Sequence, residues 1–350
     1  GNLRLNKTVS GYTGTDKTYE FTVKNSSNKY IDANGKESST EVKISVTEGT
    51  PVLIKDLPLG NYTVSEVAAS AARTDYSVSI TGGGTATVES GKTTDATITN
   101  TYTPKTGSAD LKVKKEVTGN TYSGGEDFSF TLAEASGNDT SGYTMPGSTG
   151  LTKTAKDGGT AAFDAITFKK SGTYYFTITE TGGSTTGMDY DTAAKYAKVV
   201  VEDKGGANLT TTVTYGTSMN GATASSLTVN NKYSKTTYTP EVKKVVTGTG
   251  APTETYNFTL TADKDNDSSE VLGTKTASVQ GAGTATFGTI TYTKPGTYKY
   301  EIAETAGSTE GMTYSSKAVT ITVKVDKATD GKLTATPTLS GGDTTAHEAD

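Results

Sequence analysis

An all-β fold is predicted by three features of the 350-residue sequence. Thr, Val and Tyr recur in short runs of period two, such as Tyr62-Thr63-Val64-Ser65 and Tyr174-Tyr175-Phe176-Thr177-Ile178. That is the pattern of half-buried antiparallel strands. Only 32% of residues are hydrophobic and the aromatics are 20 Tyr and 8 Phe with no Trp, which argues against a thick helical core. The 40 Gly are spread out rather than periodic, which excludes collagen.

The opening strands come first. Leu3-Arg4-Leu5-Asn6-Lys7-Thr8-Val9-Ser10-Gly11 is echoed by Leu111-Lys112-Val113-Lys114-Lys115-Glu116-Val117-Thr118-Gly119 and by Pro240-Glu241-Val242-Lys243-Lys244-Val245-Val246-Thr247-Gly248. Three starts imply three domains, residues 1–104, 105–235 and 236–350. The second and third are copies of one unit. Gly159-Thr160-Ala161-Ala162-Phe163, Ile166-Thr167-Phe168, Gly172-Thr173-Tyr174, Glu180-Thr181, Gly187-Met188 and Tyr190 return 124 positions later as Gly283 to Phe287, Ile290 to Tyr292, Gly296 to Tyr298, Glu304-Thr305, Gly311-Met312 and Tyr314. A repeat of that length is a domain used twice, not a solenoid unit. Thr103-Pro104-Lys105-Thr106-Gly107 and Ser234-Lys235-Thr236-Thr237 read as short linkers, suggesting a stiff end-to-end rod.

Several functions are disfavoured at this level. Cysteine is absent, so disulfides, thiolate nucleophiles and thiolate metal ligands are ruled out, and any covalent brace must use other chemistry. The 33 basic and 38 acidic residues are interspersed, for a net charge of −5, leaving no basic stripe for nucleic acid and no polybasic membrane patch. No apolar run approaches the length of a membrane span, so the expectation is mature, soluble material with no membrane insertion.

In period two, Leu3, Leu5 and Lys7 share one face of the first strand, as do Leu111, Val113 and Lys115 of its counterpart. The lysine therefore faces the core, where an unpaired ammonium is costly. Each middle strand closes on an acid in phase with its aromatics: Tyr62, Val64 and Glu66; Tyr174, Phe176, Ile178 and Glu180; Tyr298, Tyr300, Ile302 and Glu304. Two closing strands, Ile98-Thr99-Asn100-Thr101-Tyr102 and Val229-Asn230-Asn231-Lys232-Tyr233, place Asn100 and Asn231 in phase with Ile98 and Val229. Register leaves Lys114 and Lys243 open beside the chosen lysines, and Asn230 beside Asn231. The plainer reading is that the lysines snorkel and the asparagines satisfy strand ends.

Lys, Asn and Glu converging in one core have a chemical use. Desolvation lowers an amine's pKa and raises a carboxyl's, so both can sit neutral. A neutral ε-amine attacks the Asn side-chain carbonyl, and the protonated Glu hydrogen-bonds the oxygen and shuttles the proton as ammonia leaves. The product is an isopeptide bond. The nucleophile is consumed, so there is no turnover and the chain is not expected to be an enzyme.

These residues resemble the isopeptide-forming domains of streptococcal major pilins of the T-antigen type. The likeness rests on the Leu/Val-x-Lys openings, the Tyr-x-Val/Ile-x-Glu strands and the terminal Asn strands. It is strongest in the second and third domains, Pro295-Gly296-Thr297-Tyr298 and Glu304 included. The first domain, with Leu57-Pro58-Leu59-Gly60-Asn61-Tyr62, is similar to the B-type repeats of collagen-binding adhesins. The resemblance implies immunoglobulin-like, B-type β-sandwiches in an elongated rod, with bonds from Lys7 to Asn100 assisted by Glu66 and from Lys115 to Asn231 assisted by Glu180. In the third domain Lys244 and Glu304 are present, but the closing Asn strand is not reached. Asp350 is out of phase for the role, so no bond is expected there.

The implied function is a structural subunit or stalk of a Gram-positive cell-surface pilus, extracellular at the wall or pilus surface. Its partners would be other pilin subunits or the cell wall, joined by a sortase. The alternative is a monomeric wall-anchored adhesin with a host glycan or matrix ligand. The Tyr-Pro-Lys pilin motif is absent, leaving the polymerising lysine unassigned, and no cofactor is expected. Asp263-Lys264-Asp265-Asn266-Asp267-Ser268-Ser269-Glu270 resembles the start of a calcium loop but lacks its turn Gly and closing Glu, so it reads as a polar hairpin loop. Gly82-Gly83-Gly84 lacks the following helix of a phosphate cradle. His347, the single histidine, has no triad partners in sequence.

Overall fold

The computed structural model describes residues 1–343. His347 and Asp350, with the expectations placed on them, lie outside the described residues. Strands dominate, and the one α-helix among the described residues is the four-residue turn Ala68–Ala71.

The buried apolar residues fall into three separate clusters, drawn from residues 3–102, 109–229 and 256–333. Around the first, strand Asn2–Ser10 lies between Val52–Ile54 and Thr93–Pro104, with Tyr76–Gly82 at the edge. The facing sheet is built on Thr18–Asn25, which pairs with Gly60–Glu66, Ile44–Thr47 and Tyr30–Ile31. Alternation does the sorting, since every second side chain of a pleated strand meets the opposite sheet. Leu3, Leu5 and Lys7 turn inward from one sheet, and Tyr19, Phe21, Val23, Tyr62 and Val64 from the other.

The second cluster repeats this plan. Lys112–Gly119 is flanked by Thr160–Ala162 and Thr228–Tyr233, against a five-stranded sheet centred on Gly172–Glu180. A three-stranded sheet of Gly107–Ala109, Ile166–Phe168 and Tyr143–Thr144 closes one end. The third cluster keeps the equivalent five-stranded and three-stranded sheets. Its strand Glu241–Lys244 pairs with Gly283–Thr286 alone among the described residues.

Two features differ from the sequence reading. The strands are not all antiparallel, because the opening strand pairs parallel with the closing one, Asn2–Ser10 with Thr93–Pro104 and Lys112–Gly119 with Thr228–Tyr233. A period-two pattern is the same for either direction of pairing, so it could not reveal this. The linkers are also shorter than their composition suggested. One strand runs through Pro104 and the next begins at Gly107, and likewise Tyr233 ends a strand and Thr236 begins one.

Polar contacts knit these junctions. Lys105 is buried against Asp203, Nζ to Oδ1 at 2.6 Å, and its main-chain N–H donates to the Asp75 carbonyl. The Asp75 N–H donates to Asp203 Oδ2 at 2.8 Å, and Asp75 Oδ2 accepts from both the N–H and the hydroxyl of Ser171. At the second junction Asn120 imitates a strand neighbour. Its Nδ2 donates to the Leu333 carbonyl at 3.1 Å, and its Oδ1 accepts from the Leu333 N–H at 2.9 Å.

Candidate functional site

The most enclosed cluster of polar side chains is in the second unit. Strand Lys112–Gly119 runs parallel to Thr228–Tyr233 with Lys115 opposite Val229, so Asn231 follows two residues on, on the same inward face. Glu180 ends strand Gly172–Glu180 in phase with Tyr174, Phe176 and Ile178. Both charged side chains are wholly enclosed. One carboxylate bridges the other two groups: Lys115 Nζ donates to Glu180 Oε2 at 2.7 Å, and Asn231 Nδ2 donates to Oε1 at 2.5 Å. Asn231 Oδ1 accepts the main-chain N–H of Asp191 at 2.9 Å. The amine lies 4.6 Å from the centroid of the Phe128 ring. Burial pushes the Lys115 amine below its ordinary pKa, against the opposing pull of its hydrogen bond with Glu180.

The first unit arrives at the same arrangement from a different middle segment. Lys7 pairs with Ile98 in the parallel register, placing Asn100 two residues further along. Lys7 Nζ donates to Glu66 Oε2 at 2.8 Å, and Asn100 Nδ2 to Glu66 Oε1 at 2.6 Å. The side chains of Lys7 and Glu66 are fully enclosed, and Tyr19 takes the place of Phe128 at 4.5 Å. Burial lowers the Lys7 pKa, opposed by Glu66 and more weakly by Glu48. Asn100 Oδ1, unlike its counterpart, is buried with no hydrogen-bond partner among the described residues.

In the third unit Lys244 Nζ sits 2.6 Å from Glu304 Oε1, and Tyr256 lies beside the amine at 4.3 Å. The second carboxylate oxygen accepts the main-chain N–H of Ser315 at 3.3 Å, where the second unit has its asparagine. No asparagine bonds to Glu304 among the described residues. Asp350, the conceivable substitute, lies outside them.

Of the alternatives left open by register, Lys114, Lys243 and Asn230 are all exposed, and Lys114 is ion-paired with Glu116 on the outer face. The aromatic floor under each amine is a feature the sequence reading missed. Its signal was the aromatic-x-Phe opening of each second strand, Tyr19-Glu20-Phe21, Phe128-Ser129-Phe130 and Tyr256-Asn257-Phe258. The acidic run at Asp263 shapes turns: Asp263 Oδ1 accepts from the Asp265 N–H and Asp267 Oδ1 from the Ser269 N–H. Among the described residues no cluster of acidic or His side chains could hold a metal ion. Gly82, Gly83 and Gly84 adopt positive φ at the junction of two strands.

The sequence model of the Spy0128-like isopeptide containing domain matches residues 111–234 and again 240–349. A domain of unknown function (DUF5979) matches residues 3–103. No curated protein matches the chain. Among solved structures, the Bacillus anthracis TIE protein is 17% identical over 91% of this chain with a TM-score of 0.26, and the chain spans only 47% of its length. The major pilin T-13 of Streptococcus pyogenes is 19% identical over 68% of this chain and 97% of its own, with a TM-score of 0.31. A C-terminal fragment of the pilus adhesin SpaC from Lactobacillus rhamnosus GG is 17% identical over 67% of this chain and 98% of its own, with a TM-score of 0.30.

Proposed function

This chain belongs to the family of Spy0128-like isopeptide containing domains, and from that premise we propose that it is a structural subunit of a Gram-positive cell-surface pilus. In this reading residues 1–104, 105–235 and 236–350 form three domains. The first two are braced by Lys7–Asn100 and Lys115–Asn231 amide bonds formed by the protein itself. The observation that carries the reading is one buried carboxylate holding an amine on one oxygen and a carboxamide on the other, built twice on segments of different sequence.

The reaction uses these contacts directly. The ammonium proton passes to the glutamate, favoured by a core that disfavours charge. The freed amine attacks Cγ of the asparagine, and negative charge develops on Oδ1. The glutamic acid gives its proton to Nδ2, to which it is already hydrogen-bonded, and takes one from the attacking nitrogen. The Cγ–Nδ2 bond breaks, ammonia leaves, and Lys and Asn are joined by an amide while the carboxyl ends neutral. Each site reacts once.

The bond joins the opening strand of a domain to its closing strand, so tension enters and leaves without loading what lies between. In a chain with no cysteine this supplies a brace that reduction cannot open. The partners are other subunits of the pilus, joined by a sortase, with a host-surface ligand left to other parts of the assembly. A proteolytic map tests the chemistry. It should contain branched peptides joining the Lys7 segment to the Asn100 segment and the Lys115 segment to the Asn231 segment; recovery of these segments only as separate linear peptides would refute it.

A further inference from the structure

The repeated Gly-Met-x-Tyr motif, Gly187 to Tyr190 and Gly311 to Tyr314, is untouched by the mechanism above. Both glycines turn the chain at positive φ, 87° and 82°, a conformation that side chains disfavour. Each tyrosine is then clamped by a glutamate from a distant segment. Tyr190 donates to Glu126 Oε1 at 2.6 Å, Thr185 donates to Glu126 Oε2 at 2.7 Å, and the Thr185 N–H donates to the Tyr190 oxygen at 3.2 Å. The third unit rebuilds the clamp from Tyr314, Thr309 and Glu254. Both copies of the repeated unit keep the clamp, which points to a common purpose.

The residue after each tyrosine supplies it. The Asp191 N–H meets Asn231 Oδ1 at 2.9 Å, and in the third unit, where no carboxamide bonds to Glu304 among the described residues, the Ser315 N–H points instead at Glu304 Oε2, at 3.3 Å. The donor is therefore aimed at the reacting centre whether or not its acceptor is there. Lys195 restrains the same residue from its side chain, Nζ to Asp191 Oδ2 at 2.8 Å. Building on the cross-linking reading, we propose that the main-chain N–H of Asp191 is the oxyanion donor for the Lys115–Asn231 reaction and that the Tyr190–Glu126 clamp positions it. As the amine adds to Cγ, charge collects on Oδ1, where this fixed dipole stabilises it among wholly buried side chains. The first unit lacks the device, because Asn100 Oδ1 has no partner among the described residues.

The test follows both bonds over time in freshly synthesised full-length chain, scoring each branched peptide separately by mass spectrometry. Replacing Asp191 with its α-hydroxy acid exchanges the N–H for an ester oxygen and keeps the side chain. It should slow Lys115–Asn231 closure by about 10²–10³-fold, the range for removing one oxyanion donor, and leave Lys7–Asn100 closure unchanged. Tyr190→Phe should slow the same bond by up to about 10²-fold, the cost of misplacing a reacting group by roughly 1 Å. It should add nothing to the ester chain, since a positioning residue has no effect once the group it positions is gone. Unchanged Lys115–Asn231 kinetics in the ester chain would overturn the donor role, and unchanged kinetics in Tyr190→Phe would overturn the positioning role, in either case leaving the cross-link intact. A wild-type chain that forms no branched peptide at all would remove the cross-link, and the donor with it.

Discussion

Lys115 and Asn231 stand two residues apart in the register of a parallel strand pair, both turned to the same buried face, and Lys7 and Asn100 repeat that offset. Parallel pairing matters because the first and last strands then run side by side in one direction, and a bond between them lies on the path from one end of the domain to the other.

The shared carboxylate should be indispensable and local in effect. Glu180→Gln leaves a hydrogen-bonding group of the same shape but removes the base, so the branched Lys115–Asn231 peptide should vanish while Lys7–Asn100 persists. Glu66→Gln should give the opposite pattern. Peptide mapping of the two variants reads both bonds at once, and a Glu180→Gln chain that still forms its own bond would assign the proton shuttle elsewhere.

A chain that cannot cross-link exposes the cost of burying the amine. In Asn231→Ala the lysine stays free, and its folded pKa is below the unfolded value of 10.5, chiefly through burial. Between those two values the unfolded chain binds more protons, so stability rises with pH across that window, and the penalty is complete below the folded pKa. Denaturation of Asn231→Ala along a pH series should show this rise, and Lys115→Met in the same background should abolish it. Losing the bond itself should cost about 4–5 kcal/mol by loop-closure entropy, its loop of Lys115 to Asn231 being near a hundred residues.

Under force, residues 8–99 and 116–230 should be silent. Tension passes from residue 7 through the bond to residue 100, and from 115 to 231. Pulling the wild-type chain should release neither segment. Lys7→Ala should free the first, 92 residues by numbering, adding roughly 300 Å of contour at about 3.3–3.6 Å per residue. Single-molecule stretching distinguishes the two, and equal contour lengths would contradict the bypass.

The junction between the first two units should respond to Lys105 and to acid. The hydrogen bond from Lys105 holds the Asp203 carboxyl below its ordinary range, opposed by burial. A depressed carboxyl contributes stability above its unfolded pKa of 3.8 and loses it as pH falls through the lower folded value. Small-angle scattering should therefore report a wild-type interdomain distribution that stays narrow until pH drops well under 3.8, and a broader one for Lys105→Ala at neutral pH.

Much of this was legible in the sequence, for a geometric reason. A pleated strand puts alternate residues on one face, so Lys7 in phase with Leu3 and Leu5, or Glu180 in phase with Phe176 and Ile178, announces its direction without coordinates. What period two cannot encode is strand direction, and the parallel pair was missed. Lys105 read as part of a linker because Pro104 and Gly107 flank it. Yet Pro104, needing no N–H at a strand end, continues the strand, and Lys105 is buried through Asp203, nearly a hundred residues away. The Asp191 donor is a main-chain group, and a main-chain group has no letter. Only the recurrence of Tyr190 as Tyr314 hinted that the loop was held in place.

The intact mass of the denatured protein is the most direct measurement. Wild type should fall short of its sequence mass by two molecules of ammonia, Lys7→Ala and Lys115→Ala should each fall short by one, and the double variant by none. A wild-type chain at full sequence mass would contradict the covalent brace and leave two buried lysine–glutamate–asparagine clusters as ordinary ion pairs.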